Sequence, residues 1–209
     1  MPHREALVIR PMRPDEDDAV AALTLAAYDA HGGLTGPYRA HVADPGTRRR
    51  GASAVLVAEV DGRLAGTVTF VLPSDREWEQ RRQPAGDAGF RMLAVAPWAE
   101  GRGIGRALVE ECRRRAEEAG ARRMVITTMA WMRRAHRLYE AQGFTHRPDL
   151  DVRFPSGLGH TYMRDLAPDA AEHFPPPGEI PAVIPWFEDA WVVRRSASAA
   201  PDEADEAAR

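Results

Sequence analysis

The sequence contains no lysine and no asparagine, and it has a single cysteine, Cys112. All 28 basic residues other than histidine are arginine, so no lysine amine exists for self-acylation or for Schiff-base chemistry. A single cysteine also excludes an intramolecular disulfide and a cysteine metal cluster. Because Cys112 falls on the apolar stripe of a predicted helix, we expect it to be a small buried core residue.

Long apolar runs and an excess of positive charge are missing as well. No apolar stretch approaches the length of a membrane span and no basic N-terminal segment leads into one, so we expect a cytoplasmic protein that contacts no membrane. The net charge of −3 gives no global positive field, and nucleic acid is therefore not an expected partner. The seven histidines form neither an H-x3-H nor an H-E-x-x-H pattern, so no metal is expected.

The 209 residues suit one globular domain with a tail, and an apolar fraction of 44% is enough for a core. Residues 1–166 are predicted to form this domain. Residues 167–196 contain several prolines that prevent regular structure, together with tryptophans that are too apolar for a free tail. We expect this extension to pack on the domain or on a second subunit, as in a homodimer. Residues 197–209 are small and acidic, a composition typical of disorder.

The succession of strand and helix patterns predicts an α/β fold, with a mixed sheet of about six or seven strands and helices on both faces. The predicted strands are Ala6–Arg10, Ala54–Val60, Arg63–Leu72, Gly89–Val95, Arg122–Thr128, Phe144–Arg147 and His160–Asp165. The predicted helices run from the acidic segment after Pro14 to about Ala30, over Ile104–Ala119 and over Met132–Gln142, with a short helix around Tyr38–Ala43.

The most informative segment is a glycine-rich turn between a strand and a helix, Gly101-Arg102-Gly103-Ile104-Gly105-Arg106. Glycines let the backbone approach a ligand closely, and the start of a helix offers free N–H groups, so this turn predicts a phosphate or pyrophosphate site. Its G-x-G-x-G spacing differs from the dinucleotide G-x-G-x-x-G, and the downstream acid of that motif is replaced by the basic Arg122-Arg123. A nucleoside-triphosphate loop is excluded because it requires a lysine.

The turn resembles the acyl-CoA loop of the GNAT superfamily, in which Arg/Gln-x-x-Gly-x-Gly/Ala follows a strand ending in hydrophobic-x-Val-x-Pro. Leu93-Ala94-Val95-Ala96-Pro97 matches the strand pattern, and Gly103 and Gly105 match the glycine positions. A second segment, Ala135–Phe144, resembles the A-x-x-L-Y-x-x-x-G-F segment of the same superfamily. The two segments occur in the family's order, and the resemblance spans about Arg10 to Asp165.

One position departs from the family pattern, because Glu100 stands where relatives have arginine or glutamine. A carboxylate there would repel a pyrophosphate unless it turned outward or paired with Arg102 or Arg106. We therefore expect backbone N–H groups to supply most of the binding.

The resemblance implies a GNAT fold whose central strands splay to hold acyl-CoA. It also implies transfer of an acetyl or other short acyl group from acetyl-CoA to a primary amine, on a small molecule or a peptide. By position, Tyr139 would act as the general acid for the CoA thiolate. The implied cofactor-binding residues are Leu93, Ala94 and Val95 for the thioester and pantetheine, and Gly101, Arg102, Gly103, Ile104, Gly105 and Arg106 for the pyrophosphate.

The general base stays open, because Thr127 stands where many relatives have a glutamate, and Met132 stands where they often have an asparagine. The remaining candidates are His136, Asp149, Asp151, His160 and Tyr38, and a water relay would need no dedicated base. The missing glutamate and Glu100 favour an alternative, in which the same fold binds acyl-CoA as a sensor or regulatory module. The loops His31–Gly51 and Pro148–Gly159 are predicted to contact the acceptor.

Overall fold

The computed structural model describes residues 6–34, 36–78, 87–154 and 157–170, together with a strand at 191–192. Within these residues the chain forms one mixed sheet of nine strands and five α-helices. The strands are β1 Leu7–Pro11, β2 Ala54–Val60, β3 Arg63–Val71, β4 Asp87–Val95, β5 Arg123–Met129, β6 Thr145–His146, β7 Val152–Phe154, β8 Gly157–Asp165 and β9 Trp191–Val192. The helices are α1 Asp17–Asp29, α2 Gly36–Val42, α3 Pro45–Gly51, α4 Ile104–Glu118 and α5 Arg133–Glu140.

The strand order is β1-β2-β3-β4-β5-β8-β7-β9, and β6 also pairs with β8. Neighbouring strands are antiparallel except β4 and β5, which are parallel. Among the described strands, six have five residues or more, in agreement with the six or seven predicted from the sequence. The predicted strand Phe144–Arg147 contains the two-residue β6, and the additional strands, β7 and β9, have three and two residues, which is too short for a periodic pattern to show.

Side-chain alternation along β2 explains why helices cover both faces of the sheet. Leu56 and Ala58 belong to the main core cluster together with Leu108 of α4, whereas Val57 packs with Val20 of α1. Successive residues of a strand point to opposite faces, so α4 and α1 lie on opposite sides of the sheet. Cys112 of α4 is fully buried, as predicted, and burial raises the pKa of its thiol.

The parallel strands β4 and β5 stay together for only two residue pairs, Asp87 with Arg123 and Ala88 with Met124, and then diverge. The register between β3 and β4 shifts in the same region, and Met92 adopts a left-handed φ of 51°. A β-bulge bends its strand and disrupts the local ladder, which accounts for β4 turning away from β5. The splayed central strands implied by the family resemblance are therefore present.

Two segments predicted to be mainly loops contain regular structure instead. Residues 31–51 include two short helices, α2 and α3, rather than one. The predicted acceptor loop Pro148–Gly159 contains β7 and the start of β8, which pair as a hairpin that joins Phe154 to Gly157. The prediction of a free loop was wrong there because strand pairing stabilises a segment whose sequence shows no clear period.

In the predicted C-terminal extension, β9 pairs with β7 through Val192–Val152 and Trp191–Arg153. Residues 171–190 and 193–209, which include the predicted disordered end, lie outside the described residues. No helix among the described residues combines the length and the apolar character that crossing a bilayer requires.

Candidate active site

A cavity of about 1190 Å³ opens where β4 and β5 diverge. Residues 90–95 of β4 and 125–129 of β5 form two of its walls, and the glycine turn, the end of α1, α2 and α5 contribute the rest. Sites for one small molecule usually measure roughly 300–1,000 Å³, so this cavity has room for an extended ligand and a second, smaller one.

The glycine turn lies against the cavity through Gly101, Gly103, Ile104, Gly105 and Arg106. Gly103 is the N-cap of α4 and has a φ of 80°, in the left-handed region that glycine adopts without steric cost. The first N–H groups of α4 have no partners within the helix, and the residues that carry them, Ile104–Arg106, line the cavity. This is the arrangement that the sequence predicted for an anion site.

Gly105 is required for a different reason, which is space. A Cβ atom at this position would lie 3.3 Å from Cδ2 of Leu138 and 3.6 Å from Cγ2 of Val95. The missing side chain allows the start of α4 to approach β4 and α5 closely. The turn, the strand and the helix that bears Tyr139 are thereby brought to one cavity.

Eight of the nine predicted cofactor-binding residues line the cavity, and Leu93, Ala94 and Val95 are among them. Arg102 is the exception, because its guanidinium lies over the ring of Trp98, 5.5 Å from the ring centroid. Positive charge at the cavity comes from other arginines, which are Arg91, Arg106, Arg133 and Arg134.

The sequence left open whether Glu100 turns outward or pairs with Arg102 or Arg106, and the structure shows contacts of its carboxylate with His31 and Arg134. Its Oε1 lies 2.8 Å from Nε2 of His31, and its Oε2 lies 2.5 Å from Nη1 of Arg134. The hydrogen bond from His31, followed by that from Arg134, lowers the pKa of Glu100. Through these two contacts Glu100 connects His31, in the turn after α1, to Arg134, in the first turn of α5, and all three residues line the cavity.

Tyr139 lines the cavity from α5 and is only 6% exposed. Its ring packs against Phe90, Phe144 and Tyr162, with centroid distances of 5.6, 6.0 and 6.0 Å. Burial raises the pKa of its phenol, and the hydroxyl has no hydrogen-bond partner among the described residues. The phenol is therefore protonated near neutral pH, on a residue that lines the cavity.

Of the five base candidates from the sequence, only Tyr38 is among the residues that line the cavity. His136 shares the α5 surface with Tyr139 but lies with Nε2 3.0 Å from the carbonyl oxygen of Met129. Its half-burial lowers its pKa. Asp149 forms an ion pair at 2.7 Å with Arg147, two residues away.

Asp151 and His160 belong to a separate polar cluster beside β8. Asp151 is buried, accepts the backbone N–H of Thr161 at 2.9 Å and lies 3.0 Å from Nε2 of His146. The ring of His160 stacks on those of His146 and His136, at 4.5 and 5.2 Å between centroids. Neither residue is among those that line the cavity.

The sequence analysis missed several polar residues of the cavity, and Tyr28, Glu77 and Arg91 are among them. Nη1 of Arg91 donates to the carbonyl oxygen of Glu77 at 2.8 Å and to its Oε2 at 3.2 Å, and Nε2 of His41 lies 3.1 Å from the same Oε2. Burial alone would raise the pKa of Glu77, but the hydrogen bond from His41 and the charge of Arg91 lower it overall. Glu77 lies in a polar segment with no periodicity, so no local signal distinguished it.

The family model described as the acetyltransferase (GNAT) family matches residues 17–144 of the chain. A sequence search of curated proteins found no match.

Solved structures resemble the chain in fold. A GNAT family acetyltransferase from Brucella melitensis in complex with acetyl-CoA has a TM-score of 0.58 and 21% identity, covering 87% of this chain and 97% of that one. The acetyltransferase yncA from Salmonella typhimurium, with its cofactor acetyl-CoA, has a TM-score of 0.57 and 21% identity over 78% and 95% of the two chains. A ribosomal-protein-alanine N-acetyltransferase from Brucella melitensis has a TM-score of 0.57 and 21% identity over 76% and 99%.

Proposed function

Since the chain belongs to the GNAT acetyltransferase family, we propose that it moves an acetyl or other short acyl group from acyl-CoA to a primary amine. The observation that supports this most directly is that the glycine turn and Tyr139 line one cavity. The first is suited to the phosphates of the donor, and the second to the sulfur that leaves it. The complexes of the Brucella and Salmonella proteins with acetyl-CoA agree with this choice of donor.

The proposed site for the CoA phosphates is the start of α4. The N–H groups after Gly103 and the guanidinium of Arg106 would hold the pyrophosphate, and Arg133 and Arg134 lie at the same cavity. These three arginines outnumber the one carboxylate beside them, that of Glu100, so this region has an excess of positive charge.

The diverging edge of β4 is the proposed contact for the pantetheine arm. Beyond Ala88 this edge has no strand partner among the described residues. The backbone groups of Leu93 and Val95 on that side can therefore pair with the amides of an extended ligand, as an added strand would. Bound acyl-CoA supplies the thioester that is attacked.

In the transfer step, the amine nitrogen forms a bond to the thioester carbonyl carbon, and the carbon–sulfur bond breaks. Tyr139 donates its proton to the departing sulfur, which leaves as the CoA thiol. The acylated nitrogen loses a proton to water, and the phenolate of Tyr139 recovers one from solvent. Fixed backbone N–H groups of β4 would stabilise the charge that develops on the carbonyl oxygen.

Among the described residues that line the cavity, we assign no base for the amine. Glu77 is engaged by His41 and Arg91, and burial keeps the phenols of Tyr28 and Tyr139 protonated. We therefore propose that the amine reaches the thioester neutral, after losing its proton to water.

The test is CoA thiol release with a panel of amines, compared between the wild type and Tyr139→Phe. The phenylalanine variant should lose roughly 100-fold or more in kcat, the usual contribution of a general acid, while its Kd for CoA stays unchanged. Tyr162→Phe is the matched control, because Tyr162 packs on the same ring, donates to Glu140 and is not among the cavity-lining residues. Equal kcat in the wild type and Tyr139→Phe would refute the role of Tyr139. Tight CoA binding without turnover of any amine would favour the sensor alternative.

A further inference from the structure

The end of the cavity formed by α1, α2 and β4 contains polar groups that the transfer step does not use. Tyr28, Tyr38, Glu77 and Arg91 line it. These four side chains are the natural contacts for the acceptor, because the glycine turn and the diverging strands account for the donor. Their chemistry should indicate what the acceptor carries besides its amine.

Arg91 offers an unused binding edge. Its hydrogen bonds to described residues both run through Nη1, to the carbonyl oxygen and the carboxylate of Glu77. Nη2 and Nε have no partner among the described residues. The side chain is 13% exposed, and it lines the cavity. Two parallel N–H groups on one edge of a guanidinium match the two oxygens of a carboxylate.

The charges around Arg91 do not cancel. Glu77 is the carboxylate closest to it among the described contacts, yet the same oxygen of Glu77 also faces His41. Arg48 lies within electrostatic range of both Glu77 and Arg91. It is fully buried, and its Nη1 and Nη2 donate to the uncharged Thr69 hydroxyl and Val42 carbonyl. Among the described residues, two arginines and one carboxylate thus lie in a region largely removed from water, where an unmatched charge attracts a counter-ion strongly.

Phe90 connects this region to the reacting end. It precedes Arg91 in β4, its ring packs against that of Tyr139 at 5.6 Å between centroids, and Tyr28, Phe90, Arg91 and Tyr139 all line the cavity. An acceptor that spans Arg91 and Tyr139 needs its anionic group close to its amine.

We propose that the acceptor is a free amino acid whose carboxylate is bound by the Nη2–Nε edge of Arg91 while its amine faces the thioester. This rests on the proposed function and narrows it, since a peptide N-terminus has no carboxylate beside its amine. Arg91 is then a specificity-determining residue for the acceptor.

The experiment compares matched acceptors in the CoA-release assay with the full chain: phenylalanine, phenylalaninamide and phenethylamine, and the corresponding methionine set. The kcat/KM for an amino acid should exceed the values for its amide and for its decarboxylated amine by about 100-fold or more. Analogues without the carboxylate leave the charged group of the site without a partner. Arg91→Gln should reduce this ratio by about the same factor. Arg113→Gln, on the far surface of α4, is the matched control and should keep the ratio.

Calorimetric binding of the amino acid to the CoA-loaded chain separates this inference from the proposed function. If the amino acid binds but is not acylated, and Arg91→Gln abolishes the binding, acyl transfer is refuted and the carboxylate site is supported. Turnover of all three acceptors at equal efficiency would overturn the carboxylate site and leave acyl transfer standing. Absence of both binding and turnover would overturn the two together. Unchanged CoA affinity and melting temperature in Arg91→Gln show that the fold is retained.

Discussion

Asp87 and Arg123 form a buried ion pair at the point from which β4 and β5 diverge. Oδ1 of Asp87 lies 3.1 Å from Nε of Arg123, and both side chains are 1% exposed. The two residues are also cross-strand neighbours, and the strand pairing ends one residue later, at Ala88 and Met124. The ion pair therefore lies where the two strands are still paired, and the cavity opens farther along, where they have separated.

Arg123→Met should destabilise the fold by about 3 kcal/mol or more, because it leaves the carboxyl of Asp87 buried without its partner. Burial already raises the pKa of Asp87, and Arg123 opposes that effect. Without the arginine the folded-state pKa rises further above the unfolded value, so the folded state binds the extra proton and its stability falls as pH rises. The measurement is urea denaturation, and the loss should be larger at pH 8 than at pH 5.

The double variant Asp87→Leu with Arg123→Met is the control for this effect. Replacing both members of a buried pair with apolar groups should recover most of the stability that the single change removes. Glu110→Gln on the surface of α4 should change stability little, because its partner Arg113 meets it in solvent. A wild-type-like free energy of unfolding in Arg123→Met would contradict a structural role for the pair.

Glu100→Gln should leave the Kd for CoA unchanged or lower it. The change removes a negative charge beside the proposed pyrophosphate site and releases Arg134, which Glu100 holds at 2.5 Å. Titration calorimetry measures the Kd, and Arg134→Gln is the comparison, for which weaker binding is expected. Markedly weaker binding by Glu100→Gln would show instead that the contacts with His31 and Arg134 keep the cavity in its binding shape.

Glu16 should make the fold sensitive to acid. Its carboxylate accepts hydrogen bonds from Nη1 and Nη2 of Arg10, at 2.8 and 2.6 Å, and from the backbone N–H of Arg13 at 2.7 Å. The side-chain hydrogen bond with Arg10 is the main reason that the pKa of Glu16 falls to about 2. A pKa below the unfolded value contributes stability above about pH 4.5, and this stability is lost as pH falls toward the folded pKa.

Over that window the contribution of Glu16 should decline by up to about 1.4 kcal/mol for each pH unit. The measurement is the difference in free energy of unfolding between the wild type and Glu16→Gln at pH 7, 4 and 3. The difference should be largest at pH 7. A difference that is the same at all three values would mean that Glu16 is not held as a carboxylate by Arg10.

The pH profile of turnover should follow the acceptor rather than the protein. If the amine must lose its proton to water, kcat/KM rises tenfold per pH unit until the amine's own pKa is reached. The raised pKa of Tyr139 keeps the proposed acid protonated across this range. Two acceptors with different amine pKa values provide the test, because their midpoints should differ accordingly. A midpoint near pH 6 or 7 for both would identify a base on the protein.

Local sequence was sufficient for the elements that define the donor end of the cavity. The left-handed φ of Gly103 and the start of α4 at Ile104 depend on residues only a few positions away in the sequence, so the turn and its helix could be predicted. Tyr139 was assigned through a motif on one short helix. The order of the long strands followed from apolar patterns, and the splay of β4 and β5 from the family resemblance. The short strands β7 and β9 could not be predicted, because a strand of two or three residues is stabilised by its partner and not by its own pattern.

The end of the cavity where we propose that the acceptor binds was decided only by the tertiary structure. Glu77 meets His41 across 36 positions of sequence and Arg91 across 14, and Glu100 meets His31 across 69 positions and Arg134 across 34. The neighbouring sequence does not predict these partners, because ion pairs and shared cavity walls form only when separate elements pack together. The sequence by itself therefore determined the glycine turn and the helix start that we propose as the donor site, through local backbone geometry. Packing of α1, α2 and β4 around the cavity determined which charges lie where we propose that the acceptor binds.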